Sequence, residues 1–374
     1  MNPTTQDFKL AGIFLDHSLK IKAKEKVLIS VSEHISNPLI KAVYIETLKR
    51  GAYPVIDSGI SNLYVNRASF DGLNYQLYKL ANDWQLNYIP EDILKAYVDW
   101  ADAFVRITSI FNKTELSQIA TDKVGKRKKL VSPIFESMIN SDRWVLTYYP
   151  TYAMAQAAGV SLEWLTDFYY KACIVDYAKM EAELQGLEKV LDTGKEVKVM
   201  GEDTDLKLSI AGNLAKAAYG EANIPDGEVF LAPIPESVEG KVYFDMPTLY
   251  HGSEMHGIRL VFKKGKVVKA TAEVGQAALE EILNTDKGSR YLGEFAIGAN
   301  YNIKDAMKET LFDEKIGGTI HMALGRAYKE KRGGAPEGGN KSVIHWDIVK
   351  DMRKKGSVVL VDGKEVLKDG RILF

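Results

Sequence analysis

The sequence predicts an α/β N-terminal domain built on a parallel sheet, followed by an α+β C-terminal domain rich in antiparallel strands. Three observations carry that reading. In the first half, short β-branched runs alternate with amphipathic helical segments, the pattern of βαβ units. In the second half, period-2 strands follow one another across Lys-Gly and Asp-Gly turns. Between them a helical stretch, 161–191, ends near Asp192-Thr193-Gly194, which divides the chain into residues 1–194 and 195–374.

The elements follow in order. Residues 7–19 (DFKLAGIFLDHSL) carry apolar side chains at helical spacing. KVLISVS, from Lys26, is a short β-branched run. Residues 37–50 read as an amphipathic helix, with Asn37 as cap, Pro38 at the first helical position and Gly51 at the end. AYPVIDSG is then the next strand, and AFVRITS from Ala103 and RWVLTYYP from Arg143 extend the same sheet. From Glu196 the character changes. VKVMG and DLKLSIAG form a hairpin, and VYFDMP, HGIRLVFKKGKVVKATAEVG and GSVVLVDGKEVLKDGRILF continue the alternation. One helix, at about 276–284, interrupts. GGAPEGGN (333–340) reads as a flexible loop within the second domain, since strand-like sequence continues after it.

Composition narrows the function classes. A chain of 374 residues with 46% hydrophobic and 26% charged residues is globular in type. With 49 basic and 50 acidic residues, the net charge of −1 leaves no footprint for nucleic acid or an anionic membrane. The single cysteine, Cys173, excludes an intramolecular disulfide and a thiolate cluster, and in YYKACIVDYAKM it reads as a small core residue. MNPTTQDFKL has no apolar signal core, and no run reaches the ~18 apolar residues of a membrane span, so a cytoplasmic protein is expected.

Of the six histidines, His17 and His34 lie in the first half, and His251, His256, His321 and His345 in the second. In SVIHWDIV, a strand-like run, His345 and Asp347 are i and i+2 and project to one face. One imidazole nitrogen beside one carboxylate suits a divalent metal, although a hydrogen-bonded pair is the plainer reading. His321 stands alone among small and apolar residues, as a core histidine also does. Glu294, in YLGEFAIG, needs a partner or a metal if buried. Glu254 and His256 repeat the i, i+2 spacing. HExxH, GxSxG, Walker A and a GxGxxG after a strand are all absent, which removes support for serine nucleophiles and dinucleotides.

At these residues the chain resembles the aminopeptidase T family of metallopeptidases, the thermophilic aminopeptidase family. SLKIKAKEKVLISVS and PLIKAVYIETLKRGAYPVI are similar to its N-terminal opening. GIRLVFKKGKVV, TDKGSRYLGEFAIG, LFDEKIGGTIHMALGRAY and SVIHWDIV match its C-terminal motifs in order. The resemblance implies two divalent ions (zinc, cobalt or manganese), peptide substrates and a homodimer. It makes Glu294, His321, His345 and Asp347 metal ligands. It also places Tyr328 in the active site, where a hydrogen bond from it to the tetrahedral intermediate is expected, and Glu294 is expected to serve catalysis as well as metal binding. His256 stands where the family usually has a glutamate before the glycine of the GIRL-like motif. As a ligand it binds through one nitrogen and cannot bridge two ions, so weaker occupancy of one ion is expected, with Glu254 as a possible compensating group. Glu314, in LFDEK, is a candidate for proton transfer. The alternative is a non-catalytic or single-metal homologue that binds peptide or metal without efficient hydrolysis.

Overall fold

A computed structural model of the chain describes all residues except 1, 32–36, 59–72, 117, 121–122, 128, 132, 134–142, 251, 336 and 374, so His34 and His251 lie outside the described residues. By their internal contacts the residues form two compact units: Met1–Val175 with Gly220–Pro225, and Asp176–Tyr219 with Asp226–Phe374.

In the first unit, β1 (Lys26–Val31), β2 (Tyr53–Asp57), β3 (Ala103–Thr108) and β4 (Trp144–Tyr148) form a parallel sheet in the order β2-β1-β3-β4. β1 and β3 are buried along almost their whole length, as expected for strands covered on both faces. The expected first helix runs Thr5–Gly12 and continues as a π-helical turn, Ile13–Ser18. Thr4 and Asp7 close a capping box at its start. Asn37 caps Pro38–Lys49 by accepting from the Leu39 amide at 2.9 Å. The stretch expected as one helix at 161–191 is two, Leu162–Cys173 and Tyr177–Thr193. Its break has a local cause: the β-branched pair Ile174-Val175 is followed by Asp176, whose carboxylate accepts from the Lys179 amide and starts a new helix. The helix Tyr177–Thr193 packs with the second unit, through Leu184, Leu187 and Leu191, whereas the boundary expected at 194 leaves it with the first. Cys173 is fully buried in the first unit.

The second unit is strand-rich. In order come β5 (Glu196–Gly201), β6 (Thr204–Ser209), β7 (Lys216–Ala218), β8 (Glu228–Leu231) and β9 (Glu239–Phe244). A small hairpin, β10 (Thr248–Tyr250) and β11 (Ser253–Met255), precedes β12 (Ile258–Lys263) and β13 (Lys266–Thr271). The helix Gln276–Leu283 intervenes. β14 (Leu292–Gly298), β15 (Thr319–Gly325), β16 (His345–Asp351), β17 (Val358–Val361), β18 (Lys364–Lys368) and β19 (Arg371–Ile372) follow. One antiparallel sheet runs β13-β12-β9-β6-β5-β17-β18-β19 and a second runs β16-β15-β14-β8-β7. The Lys264-Gly265 and Asp362-Gly363 turns take positive φ at both residues, as two-residue hairpins require. A Cβ at position 265 would stand 1.9 Å from the Pro235 carbonyl oxygen, so only glycine fits there.

The two sheets of this unit share one apolar core. Phe295, Ile297, Ile320, Met322, Leu324, Trp346 and Ile348 come from β14–β16, and Val197, Val199, Leu206, Phe244 and Leu260 from the larger sheet. β14 and β15 are buried throughout. Their alternate residues are therefore buried on the face that does not supply this core, and the polar residues singled out in the sequence lie there.

Candidate metal centre

Register, rather than proximity along the chain, assembles the site. Glu294 on β14 stands opposite Ala323 on β15, which stands opposite Asp347 on β16. His321 lies two residues before Ala323, His345 two before Asp347, and Glu228 on β8 is opposite Gly298, four residues beyond Glu294. Cross-strand partners and i, i+2 neighbours share a sheet face, so all five polar side chains project together. Ala323, the residue between Glu294 and Asp347 on that face, projects only a methyl group.

The resulting distances are short. His321 Nε2 lies 3.1 Å from Glu294 Oε1 and 3.3 Å from Glu228 Oε2. His345 Nε2 lies 3.5 Å from Asp347 Oδ1 and 3.8 Å from Glu294 Oε2. His345 Nδ1 donates to the Arg326 carbonyl at 2.6 Å, which turns Nε2 toward the carboxylates. Three overlapping groups result, each with one ligand-type atom per residue and all such atoms within 4.8 Å: Glu228, Glu294 and His321; Glu294, His345 and Asp347; Glu314, His321 and Asp347. Lys315, 1% exposed, places Nζ 2.5 Å from Glu228 Oε1, 2.8 Å from Glu314 Oε1 and 3.7 Å from Asp226 Oδ1.

Crowding buried carboxylates shifts their protonation. Burial raises Glu314 to about 8, helped by Glu228 and Asp347 and opposed by Lys315. Burial likewise raises Glu294, against its hydrogen bond to His321. Burial alone would lower both histidines, but the acids around them win. His321 rises to about 9 through Glu294, Glu228 and Asp347, and His345 to about 10 through Asp347 and Glu294. Asp347 falls to about 2 despite burial, held by His345, His321 and Lys315.

Glu294, His321, His345 and Asp347 are thus brought together. His256 joins none of these groups among the described residues. It is an isolated bridge partner of Val274, with Nδ1 3.8 Å from Glu273. Glu254 pairs with Lys308 at 2.7 Å. The ring of Tyr328 lies 5.0 Å from that of His345 and 6.0 Å from that of Phe230, centroid to centroid. Tyr328 as a residue is 40% exposed, but desolvation of its phenol toward the cluster and the carboxylates Glu294, Asp347, Glu314 and Glu228 keep that phenol protonated. A small opening adjoins the cluster, lined in part by Leu249, Lys308, Glu314, Asp347 and Val349. Sequence reasoning missed Glu228. It sits on a four-residue strand in PDGEVF, without a histidine nearby; the available signal was one acid beside the strand-forming Val229-Phe230-Leu231.

The family model for thermophilic metalloproteases (M29) matches residues 5–371. The chain belongs to this family. Among curated members, aminopeptidase T of Thermus thermophilus is 38% identical over 167 residues, which are 39% of this chain and 40% of that one. Aminopeptidase AmpS of Bacillus subtilis is 32% identical over 201 residues, 46% of this chain and 48% of that one. The matched stretch spans less than half the length of each of these relatives. The solved structure of AmpT from Thermus thermophilus superposes with a TM-score of 0.79 at 24% identity, covering 99% of both chains. A 2,5-dihydroxypyridine dioxygenase from Pseudomonas putida KT2440 superposes at 0.63 with 16% identity, covering 99% of this chain and 98% of that one. At these identities the structural likeness shows the fold alone, and function has to be argued from the site.

Membership in a metalloprotease family implies a divalent metal, and the residues fit one. Glu228 Oε2, Glu294 Oε2, His321 Nδ1 and Asp347 Oδ1 are buried atoms without a hydrogen-bond partner. Buried polar atoms are ordinarily satisfied, and three carboxylate oxygens left without a donor in one cluster suit a cation. Carboxylate and imidazole donors with no thiolate match zinc, cobalt or manganese.

Proposed function

We propose that this chain is a metal-dependent aminopeptidase that removes N-terminal residues from peptides, with residues 195–374 as its catalytic domain. Glu228, Glu294, His321, His345 and Asp347 would hold the metal. The observation that carries the reading is the set of unsatisfied buried oxygens of Glu228, Glu294 and Asp347 around two histidines. Family membership and relatives named as aminopeptidases support it. Two ions are proposed because Glu294 belongs to two ligand groups, one with Glu228 and His321 and one with His345 and Asp347.

A bound divalent cation supplies activation of water and polarisation of a carbonyl. The chain's own residues do the rest. The opening beside Asp347 would admit the protonated α-amino group of the substrate, which suits this ionised carboxylate. Glu314, protonated at neutral pH, would pass its proton to the leaving amine. Tyr328 would donate its phenolic hydrogen to the oxyanion of the tetrahedral intermediate. The single-metal or non-catalytic alternative draws its motive from His256. That motive weakens with His256 beside Glu273 and Glu228 in the cluster. A homodimer is part of the proposal on the strength of the sequence resemblance.

Aminoacyl-p-nitroanilides test the reading directly. With added Co²⁺, Zn²⁺ or Mn²⁺, release of nitroaniline is expected, and chelator should abolish it. His321→Ala should lower kcat/KM by more than about 100-fold. Unchanged hydrolysis by that variant would place the active site elsewhere.

A further inference from the structure

Lys315 is a positive charge where a metal centre should least tolerate one. It is 1% exposed, on the turn that follows the helix Thr310–Asp313. An ammonium has three donors and no lone pair, so it cannot ligate a cation and repels one nearby. Burying it is costly unless it is well paired. Its backbone is also fixed: its amide donates to the Phe312 carbonyl at 3.1 Å, and its own carbonyl accepts from the Asn300 amide at 2.9 Å. The ammonium is thus delivered by a hydrogen-bonded turn to one place.

The pairing at that place is asymmetric. Lys315 Nζ takes Glu228 Oε1 at 2.5 Å. The other oxygen, Oε2, faces His321 Nε2 at 3.3 Å and has no hydrogen-bond partner. A carboxylate can offer a cation both oxygens, or bridge two cations with one each. Here one oxygen is held by the lysine, leaving a single oxygen directed at the histidine. Lys315 also reaches Glu314 and Asp226, so it links the ligand-bearing strand β8 to the segment carrying Glu314.

We propose that Lys315 is a positioning residue that fixes Glu228 as a one-oxygen metal ligand and thereby sets the affinity of the Glu228 side of the centre. The inference rests on the metal-centre reading above. It goes beyond charge balance, because balance alone could be met by any cation near the acids and would leave ligand geometry free.

Calorimetric titration with Zn²⁺, Co²⁺ and Mn²⁺ tests it, on the full chain after chelator treatment, with folding checked by circular dichroism. Lys315→Met should bind at least one ion about tenfold or more weakly than wild type, the scale typical of groups that orient ligands. Lys315→Arg, which keeps a cation on Glu228, should restore much of that loss. Because Lys315 acts through Glu228, the double variant E228Q/K315M should bind no more weakly than E228Q alone. Folded Lys315→Met with wild-type affinity would overturn the proposal. So would a double variant weaker than E228Q by the full factor that separates K315M from wild type. Should Lys315→Met not fold, the E228Q and E228Q/K315M pair decides, since it removes both members of the ion pair: equal affinity supports the proposal and weaker binding by the double variant overturns it. Wild-type protein that binds none of the three ions would instead overturn the metal-centre reading, and this inference with it.

Discussion

Ala323 is as much a part of the candidate centre as its acids. It lies between Glu294 and Asp347 in the sheet register, on their face. Ala323→Leu should place a larger side chain between these two carboxylates and reduce bound metal by about tenfold, at an overpacking cost of ~1–3 kcal/mol. Metal content per chain and a urea unfolding curve would check both effects. Protonation gives a second test at this scale. In the ion-free protein His321 sits at about 9 and His345 at about 10, so both are protonated at pH 7. A protonated imidazole has no lone pair for a cation, so ion uptake at pH 7 should release protons and affinity should rise toward pH 9. Calorimetry in buffers of different protonation enthalpy reads this, and an exchange of no protons would contradict it. The same shifts govern ion-free stability. Both histidines are raised above their ordinary 6.5, so their contribution is complete below about 6.5 and is lost as pH climbs through 9 to 10. Glu314, raised from 4.5 to about 8, acts with the same sign. Asp347, lowered from 3.8 to about 2, contributes above 3.8 and loses that contribution as pH falls through 2. The ion-free unfolding midpoint should therefore drop between pH 7 and pH 10.

At the scale of elements, the segment between β15 and β16 decides how His345 and Tyr328 are presented. Asp286 anchors its far end: its carboxylate accepts from the amides of Gly288, Ser289 and Val343 and from the hydroxyl of Ser342. Arg332 anchors its middle, reaching Asp192 at 2.9 Å and Glu188 at 3.0 Å on the helix Tyr177–Thr193. Asp286→Ala would strip three amides of their acceptor and should cost about 2–3 kcal/mol. Faster amide exchange in 326–344 should accompany it, and unchanged exchange there would show that the segment is held by other contacts. Legibility in the sequence divides along the same line. Lys264-Gly265, Asp362-Gly363 and the Asn37-Pro38 cap were readable because local chemistry alone dictates them. The break after Cys173 was not, because its local signals, the pair Ile174-Val175 and the cap Asp176, sit within an apolar spacing that runs on from one helix to the next.

For the molecule as a whole, His345 and Asp347 were legible as a pair because strand pleating puts i and i+2 on one face. Glu294 and His321 became ligand candidates through resemblance, since nothing local distinguishes them from satisfied core residues. Glu228 and Lys315 escaped because only the pairing of β8 with β14 and the turn after Asp313 bring them to the cluster. His256 looked equivalent to the others in sequence but joins none of their ligand groups among the described residues, and its Nδ1 faces Glu273. If the centre holds metal, the ion binds only the folded chain. Metal at about 100 times its dissociation constant should then raise stability by roughly 2.7 kcal/mol, reversed by chelator. The most direct measurement follows one peptide by mass spectrometry with a free and with an acetylated N-terminus, in the presence of Co²⁺, Zn²⁺ or Mn²⁺ and again with chelator. Stepwise loss of N-terminal residues from the free peptide alone, stopped by chelator, is the predicted result. Equal cleavage of the acetylated peptide, or an intact free peptide under every metal, would contradict the assignment of a metal-dependent aminopeptidase.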